Sequence, residues 1–220
     1  RRAVELICRW ANVANMLNRV EVLGFVDGHV SIDWINDCGC KTINLLTKGS
    51  LKHLTYQLRK TPEQHFSDIS VSVDYAHSLG MEVNAYLEDW SNGMKDSLDY
   101  VYRLVEHLNN AGVKRIMLPD TLGILNPLQV LEYIHKMIRR FPNVCFEFHA
   151  HNDYDLAISN VLAAVLAGCR GFHTAVNGLG ERAGNAPLAS VQAILKDHFN
   201  AQTSIDESKL IYISRIVESY

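Results

Sequence analysis

Two histidines separated by a single residue, His149 and His151, have the types and spacing best suited to metal chemistry in this sequence. Phe146 and Phe148 alternate with polar residues just before them, which predicts a strand. On an extended backbone, residues i and i+2 point to the same face, roughly 6.6 Å apart. Two imidazoles on one face can bind one metal ion and leave other coordination positions open. The pair therefore indicates a metal site at a strand end, and a solvated pair of histidines is the alternative interpretation.

Other polar side chains that could take part in chemistry follow the other predicted strands. Glu88 and Asp89 end one strand, Thr121 follows another, and Glu181 and Asn185 lie in the glycine-rich segment two loops further on. A catalytic metal ion needs at least a third protein ligand, which Asn185 or Glu181 could supply. The carboxylate of Glu88 or Asp89 could act as a base. For each acidic residue taken singly, a solvated loop position is an equally good interpretation.

The elements that must position these residues form a regular series. Short apolar segments alternate with amphipathic helical patterns, and such alternation predicts a parallel sheet. Capping sequences begin two of the helices, at Thr61-Pro62 and at Asn126-Pro127. A first helix is expected over residues 2–17. The predicted strands cover residues 20–25, 41–46, 82–87 and 115–118, the segment that ends in the histidines, and residues 171–176.

The loops distinguish between two kinds of parallel sheet. Polar or glycine-rich loops follow every predicted strand, as in a barrel whose chemistry lies at the carboxyl ends of its strands. A doubly wound sheet would concentrate such loops at one switch point. The expected fold class is therefore α/β, a (β/α)8 TIM barrel of about six strand–helix units that lacks its first two strands. We expect residues 1–205 to form this catalytic domain and residues 206–220 to form a trailing helix.

Composition limits the classes of partner. The chain has 220 residues, 48% of them hydrophobic, which is enough to bury the core of one α/β domain. A net charge of −3 provides no basic surface for nucleic acid. No apolar run approaches the roughly 20 residues that a membrane span needs. The five cysteines form no Cys-x-x-Cys pair, which suits a reducing compartment, so we expect a cytoplasmic protein without nucleic-acid or membrane partners.

Several segments together resemble one family over essentially the whole chain. They are His-Ala-His-Asn-Asp, Pro-Asp-Thr-Leu-Gly and Asn-Gly-Leu-Gly-Glu-Arg-Ala-Gly-Asn, and they are similar to the metal-dependent barrel acyltransferases. That family includes isopropylmalate, homocitrate and citramalate synthases, with hydroxymethylglutaryl-CoA lyase as a cousin. Three further segments, Leu-Gly-Phe-Val-Asp-Gly, Asn-Leu-Leu-Thr-Lys-Gly-Ser and Tyr-Leu-Glu-Asp-Trp-Ser-Asn-Gly, look most like the pyruvate-selective (R)-citramalate synthases.

The resemblance implies a role for individual residues. His149, His151 and Asn185 match ligands of a divalent metal ion, which could be Zn, Mn, Mg or Co, and Glu88 matches the catalytic carboxylate. The family's fourth ligand is an aspartate in an Arg-Asp-Gly motif, which this sequence does not contain. Thr121 matches a hydroxyl that holds the substrate carboxylate. The remaining matches are an apolar wall around the substrate side chain, formed by Leu23, Leu46 and Tyr86, and Phe25 near acetyl-CoA.

These roles imply an acyltransferase that condenses acetyl-CoA with pyruvate to give (R)-citramalate and CoA, in isoleucine biosynthesis. Bulky side chains at Leu23, Leu46 and Tyr86 leave room for a methyl group, because overfilling an apolar pocket is strongly opposed. Ordinary barrel-core packing of the two leucines is the alternative. The resemblance also implies a homodimer.

Two competing interpretations remain. A 2-isopropylmalate synthase would use 2-oxoisovalerate, although the segment Trp90-Ser91-Asn92-Gly93 lacks the arginine that usually follows the Glu-Asp pair in that branch. The lyase branch of the family carries a cysteine in the last glycine loop. This chain reads Glu-Arg-Ala-Gly-Asn there, which speaks against a lyase. The second interpretation, from a different class, is a non-catalytic fragment. We expect the isolated chain to be inactive because it would hold the metal through three ligands and could not close its barrel.

Overall fold

The computed structural model describes residues 1–220 and divides them into two compact units, residues 1–118 and residues 119–220. Each unit consists of parallel strands and the helices that connect them. The fourth strand spans the division, since its last two residues belong to the second unit.

The first unit has four strands and six helices. In chain order they are α1 (Arg2–Val13), β1 (Val22–Phe25), α2 (Val30–Asp37), β2 (Thr42–Lys48), α3 (Leu51–His53), α4 (Pro62–Ser78), β3 (Glu82–Glu88), α5 (Trp90–Asp96), α6 (Leu98–Asn110) and β4 (Arg115–Asp120). A 3₁₀ turn at Leu17–Arg19 precedes β1, and a π-helical turn at Leu54–Leu58 extends α3. β1 pairs with β2, β2 with β3, and β3 with β4, always in parallel.

The two faces of this sheet differ in character. On one face the side chains of β2 and β3 are fully buried, among them Ile43, Leu45, Val83 and Leu87. The other face carries the alternate residues, which are a mixture of apolar and polar side chains with partial exposure. The period of two in a strand separates the two sets, so β2 and β3 pack one face into the core and leave the other partly accessible.

Local sequence explains where α4 begins. Thr61 Oγ1 accepts a hydrogen bond from the Gln64 N–H, while Gln64 Oε1 accepts one from the Thr61 N–H. Pro62 occupies the first helical position, where its missing N–H costs nothing. The predicted capping box is therefore confirmed.

The second unit continues with α7 (Pro127–Arg140), β5 (Cys145–Ala150), α8 (Ala157–Leu166), β6 (Gly171–His173), α9 (Leu188–Phe199) and α10 (Leu210–Glu218). Short 3₁₀ turns at Val176–Gly178 and Glu207–Lys209 precede α9 and α10. β5 and β6 pair in parallel, with His149 opposite His173. α8 packs against both β5 and α7. Asn126 and Gln129 form the same reciprocal cap at the start of α7 that Thr61 and Gln64 form in α4.

All six predicted strands are present, but two predicted boundaries were wrong by three or more residues. The first helix ends at Val13 rather than at residue 17, because Asn15 takes a left-handed conformation with φ of 55°. The sixth strand ends at His173 rather than at residue 176, because the chain then turns into the 3₁₀ segment, where Asn177 has φ of 56°. Both boundaries depend on a left-handed asparagine, which apolar periodicity does not reveal.

None of the ten helices combines the length and apolar character that crossing a bilayer requires.

Candidate functional site

The two histidines of the His-x-His pair converge in the second unit. His149 lies in β5 and His151 follows the end of that strand. Their Nε2 atoms are 3.3 Å apart, and the two rings meet nearly at a right angle. Two nitrogen atoms bound tetrahedrally to one ion at about 2.1 Å would lie about 3.4 Å apart. The observed spacing therefore fits two ligands of a single metal ion.

Asn185 lies directly opposite His151 in an antiparallel bridge. The hydrogen bonds flank the pair, from the Ala186 N–H to the Ala150 carbonyl and from the Asn152 N–H to the Gly184 carbonyl. Residues paired in this way have their side chains on one face and close together. The loop before α9 therefore brings an amide side chain to the histidines.

A glycine makes room for this amide. A Cβ atom on Gly180 would lie 2.3 Å from Asn185 Nδ2, so any side chain there would displace the amide. Asn185 Nδ2 donates to the Leu179 carbonyl, whereas Asn185 Oδ1 and His151 Nδ1 are buried without a hydrogen-bond partner. Orphaned buried polar atoms are costly and rare in native proteins. An ion bound at this place would give the amide oxygen a partner.

Electrostatics keep both imidazoles in the form that binds metal. Burial lowers the pKa of His149 to about 3, and the neighbouring His173 and His151 act in the same direction. Burial also lowers the pKa of His151, with a further contribution from Arg182. Both rings are therefore neutral near pH 7. A neutral imidazole retains a nitrogen lone pair, which is what a divalent ion needs.

The ligand set in this chain is partial. No group of three or more His, Cys, Asp or Glu side chains is arranged so that it could hold a metal ion. The candidates that converge are two imidazoles and one amide, His149, His151 and Asn185. These donors fit a borderline or hard divalent ion, and they leave coordination positions for other oxygen ligands.

The other predicted residues of the second unit are placed differently. Thr121 is half-buried in the loop after β4, and its carbonyl accepts a hydrogen bond from Arg182. Glu181, proposed as an alternative ligand, has a 78% exposed side chain and forms an ion pair with Arg182. It does not join the histidines. Asp120 is fully buried and accepts hydrogen bonds from the Ile124 and Leu125 N–H groups, which makes it a support for the loop.

In the first unit, Glu88 ends β3 with a basic neighbour. Lys48, its register partner at the end of β2, forms an ion pair with Glu88 Oε2. Both side chains are mostly buried, 13% and 21% exposed. His53 Nδ1 lies 3.8 Å from the other carboxylate oxygen of Glu88. Glu88 is therefore a fixed, charge-compensated carboxylate rather than a solvated loop acid.

Asp89 has a structural environment of its own. It is fully buried in a left-handed conformation, with φ of 65°. Its carboxylate accepts hydrogen bonds from the Ser50 hydroxyl at 2.6 Å and from Asn92 Nδ2 at 2.7 Å, and His53 Nε2 lies 3.4 Å away. Asp89 thus ties the loop after β3 to the start of α3, and Glu88 is left as the carboxylate available for chemistry.

The predicted apolar wall lies on the partly exposed face of the first unit's sheet. The register aligns Phe25 with Leu46 and Leu46 with Tyr86, so these three side chains form one row. Leu23 lies two residues before Phe25 on the same strand and therefore on the same face. Leu23 is 47% exposed and Phe25 is 56% exposed. Glu88 follows Tyr86 by two residues and shares that face.

Several residues with evident site contacts escaped the sequence analysis. Lys48 and His53 surround Glu88, while His173 lies beside His149 and contacts Glu147. Arg182 joins three loops of the second unit. The sequence carried one usable signal, since Lys48 and His173 both occupy strand ends next to a predicted site residue. The register of the paired strands then places Lys48 opposite Glu88 and His173 opposite His149.

The chain belongs to the HMGL-like family, whose model matches residues 4–217.

Among curated relatives, a homocitrate synthase of Sulfurisphaera tokodaii is 37% identical over 168 residues, covering 76% of this chain and 36% of the relative. A probable 2-isopropylmalate synthase of Ignicoccus hospitalis is 36% identical over 188 residues, covering 86% and 46%. This chain therefore spans less than half the length of these relatives. A solved HMG-CoA lyase of Pseudomonas aeruginosa matches with a TM-score of 0.78 at 18% identity, covering 89% of this chain and 68% of that one, which shows a shared fold.

Proposed function

We propose that this chain is the catalytic part of a divalent-metal-dependent acyltransferase that condenses acetyl-CoA with pyruvate, giving (R)-citramalate and CoA. The observation that carries the proposal is the row of Phe25, Leu46 and Tyr86, which lies on the same face as the compensated carboxylate of Glu88. An apolar wall next to a fixed carboxylate suits a small substrate with a short alkyl group.

The metal ligands proposed are His149, His151 and Asn185. A divalent ion bound there would polarise the ketone of a 2-oxo acid as a Lewis acid. The neutral imidazoles and the orphaned amide oxygen are the features that favour this role. The Thr121 hydroxyl is proposed to hold the substrate carboxylate.

The reaction needs a proton removed from the methyl group of acetyl-CoA. We assign the catalytic carboxylate to Glu88, which Lys48 and His53 hold in position. The carbanion forms a carbon–carbon bond to the ketone of the oxo acid, and the resulting alkoxide takes up a proton. Water then cleaves the thioester to release CoA and the dicarboxylate. Phe25, 56% exposed on the edge strand, is proposed to contact the acetyl-CoA.

Substrate choice is assigned to Leu23, Leu46 and Tyr86. A pocket filled by these side chains admits the methyl group of pyruvate, whereas an isopropyl group would have to overpack it. Each additional methylene is worth about 1–3 kcal/mol in discrimination by an apolar pocket.

A second candidate function is 2-isopropylmalate synthesis from 2-oxoisovalerate. The relative named probable 2-isopropylmalate synthase, 36% identical, supports this alternative about as well as the pocket supports pyruvate. The relative named homocitrate synthase adds 2-oxoglutarate as a substrate that must be tested.

We also propose that residues 1–205 supply about six strand–helix units of a (β/α)8 barrel, and that the complete enzyme is a cytoplasmic homodimer. The likeness to HMG-CoA lyase supports the barrel. Because the chain offers three metal ligands, we expect it to be inactive in isolation.

A thiol-release assay on the complete protein tests the function. Acetyl-CoA is supplied with pyruvate, 2-oxoisovalerate or 2-oxoglutarate, with and without a chelator. The proposal expects metal-dependent turnover on pyruvate, and a Tyr86→Ala variant that gains at least about tenfold in relative activity on 2-oxoisovalerate. Turnover on 2-oxoisovalerate by the parent would replace the substrate, and no turnover on any acid would refute the chemistry. Tyr102→Ala, on α6, is the matched control.

A further inference from the structure

Three loops of the second unit meet at one side chain, that of Arg182. Its Nε donates to Asp153 Oδ1 at 2.7 Å and its Nη2 donates to Asp153 Oδ2 at 2.9 Å. The same Nη2 donates to the Thr121 carbonyl at 2.8 Å. Arg182 thus connects the loop before α9 with the loops that follow β4 and β5.

Each of these contacts lies close in sequence to a residue of the proposed site. Asp153 is two residues after His151, Arg182 is three residues before Asn185, and the carbonyl acceptor belongs to Thr121 itself. The backbone bond from the Asn152 N–H to the Gly184 carbonyl runs beside the ion pair. The guanidinium group therefore acts on all three loops without itself being a metal ligand.

The packing beneath Asp153 leaves it little freedom to move. A Cβ atom on Gly123, which has φ of 59°, would lie 2.6 Å from Asp153 Oδ2 and 2.9 Å from its backbone nitrogen. Asp153 is therefore seated directly on the backbone of the loop after β4.

The backbone of Arg182 is held in an uncommon conformation. Its φ is 54°, in the left-handed region that a non-glycine residue adopts only when its surroundings hold it there. A lysine in this place could keep the positive charge, but it could not make the planar two-point contact with a carboxylate and the third contact with a carbonyl.

We propose that Arg182 is a positioning residue that aligns the loops carrying His151, Asn185 and Thr121, and so sets the affinity of the site for its metal ion. The inference rests on the proposed function for the roles of those three residues. The alignment itself is a property of the loops and can be measured without turnover.

The test compares Arg182→Met, Arg182→Lys and the control Arg139→Met in the complete protein. Arg139 is an exposed arginine in the last turn of α7. Two readouts are taken, the affinity for Mn²⁺ by calorimetric titration and the amide hydrogen exchange of residues 119–125, 151–156 and 178–186. Arg182→Met should weaken Mn²⁺ binding about 10–100-fold, the usual effect of removing a supporting partner from a metal site. It should also speed exchange in all three segments.

Arg182→Lys should recover less than half of the lost binding free energy, and Arg139→Met should match the parent in both readouts. If Arg182→Met binds Mn²⁺ within twofold of the parent, or if exchange rises only at residues 178–186, the positioning role is wrong. Full recovery by lysine would show that charge alone acts and would overturn the alignment.

A parent that fails to bind Mn²⁺ would refute the metal site of the proposed function and not the alignment. The exchange data then decide alone. Faster exchange at residues 119–125 in Arg182→Met, relative to Arg139→Met, supports the alignment of the loops, and unchanged exchange there overturns it.

Discussion

The carboxylates that follow β3 in the first unit and the polar atoms of His151 and Asn185 in the second unit differ in whether the protein supplies their partners. In the first unit, the carboxylates of Glu88 and Asp89 have protein partners, namely Lys48, Ser50 and Asn92. In the second unit, Asn185 Oδ1 and His151 Nδ1 are buried without one. Hydrogen-bonded and ion-paired carboxylates contribute stability, whereas polar atoms that are buried without a partner cost stability until something binds. The difference separates a support around Glu88 from the proposed cation receptor, which is formed by His149, His151 and Asn185.

The largest expected effect is at the proposed cation receptor in the second unit. His151→Ala should weaken Mn²⁺ binding by more than about 100-fold, because it removes a proposed ligand. Loss of an outer hydrogen-bond partner, by comparison, costs about 10–100-fold. Without metal, its free energy of unfolding should stay close to that of the parent, since the lost ring has an unsatisfied nitrogen. Calorimetric titration and urea unfolding measure both. His135→Ala, an exposed histidine of α7, is the control.

If His151→Ala and the control bind Mn²⁺ equally well, the second unit is not a cation receptor and the contrast between the regions disappears.

The next largest effect is expected at the support around Glu88. Lys48→Met leaves the mostly buried Glu88 carboxylate without its cation, so the free energy of unfolding should fall by about 1–3 kcal/mol. Turnover should fall as well, because Glu88 loses its orientation. Urea unfolding and the thiol-release assay measure the two effects. Lys52→Met, at an exposed lysine of α3, serves as the matched control.

If the Lys48→Met and Lys52→Met variants are equally stable, the Lys48–Glu88 ion pair does not contribute to the stability of the first unit.

A smaller, pH-dependent effect involves His65, which is hydrogen-bonded to the backbone of Lys48. This residue is 1% exposed, and its Nε2 accepts a hydrogen bond from the Lys48 N–H at 3.2 Å. Burial lowers the pKa of His65 to about 4. As the pH falls, the unfolded chain takes up a proton on this imidazole near pH 6.5, while the folded chain does not. The contribution of neutral His65 to the free energy of unfolding is therefore fully present above pH 6.5 and is lost as the pH falls toward 4.

The loss should be on the order of 2 kcal/mol between pH 7 and pH 5. Urea unfolding at the two pH values measures it, and His65→Gln should show a smaller difference than the parent. His135→Gln should behave as the parent does. A His65→Gln variant with the parent's full pH dependence would assign that dependence to other groups.

The smallest effects should be equal in the two units. Thr61→Ala and Asn126→Ala each remove a capping side chain from a helix with a reciprocal cap, so each should cost about 1 kcal/mol of stability. Neither should alter Mn²⁺ affinity. A change in affinity for Asn126→Ala, measured by the same titration, would show that the receptor depends on general stability of its unit as well as on its ligands.

The sequence alone was sufficient for the presence of the six strands and for the starts of two helices. Period-two and period-3.6 patterns located all six strands, and the capping signals at Thr61 and Asn126 marked helix starts, because these signals depend on neighbouring residues only. The His-x-His spacing likewise placed two imidazoles on one strand end. Boundaries at Asn15 and Asn177 were missed, since a left-handed backbone is set by what surrounds it.

Only the tertiary structure decided which acidic residues hold loops together and which one shares a face with the row of Phe25, Leu46 and Tyr86. Asp120 and Asp89 are chemically as able as Glu88, but backbone N–H groups or hydroxyl and amide donors occupy their carboxylates. Lys48, Arg182 and His173 acquired their partners through strand register and loop packing. Burial and contact are properties of residues that are distant in sequence, and they determine both the protonation of His149 and the reach of Arg182. The amino-acid types therefore determined the chemistry available to this protein, and the packing of its strands and loops decided where that chemistry can occur.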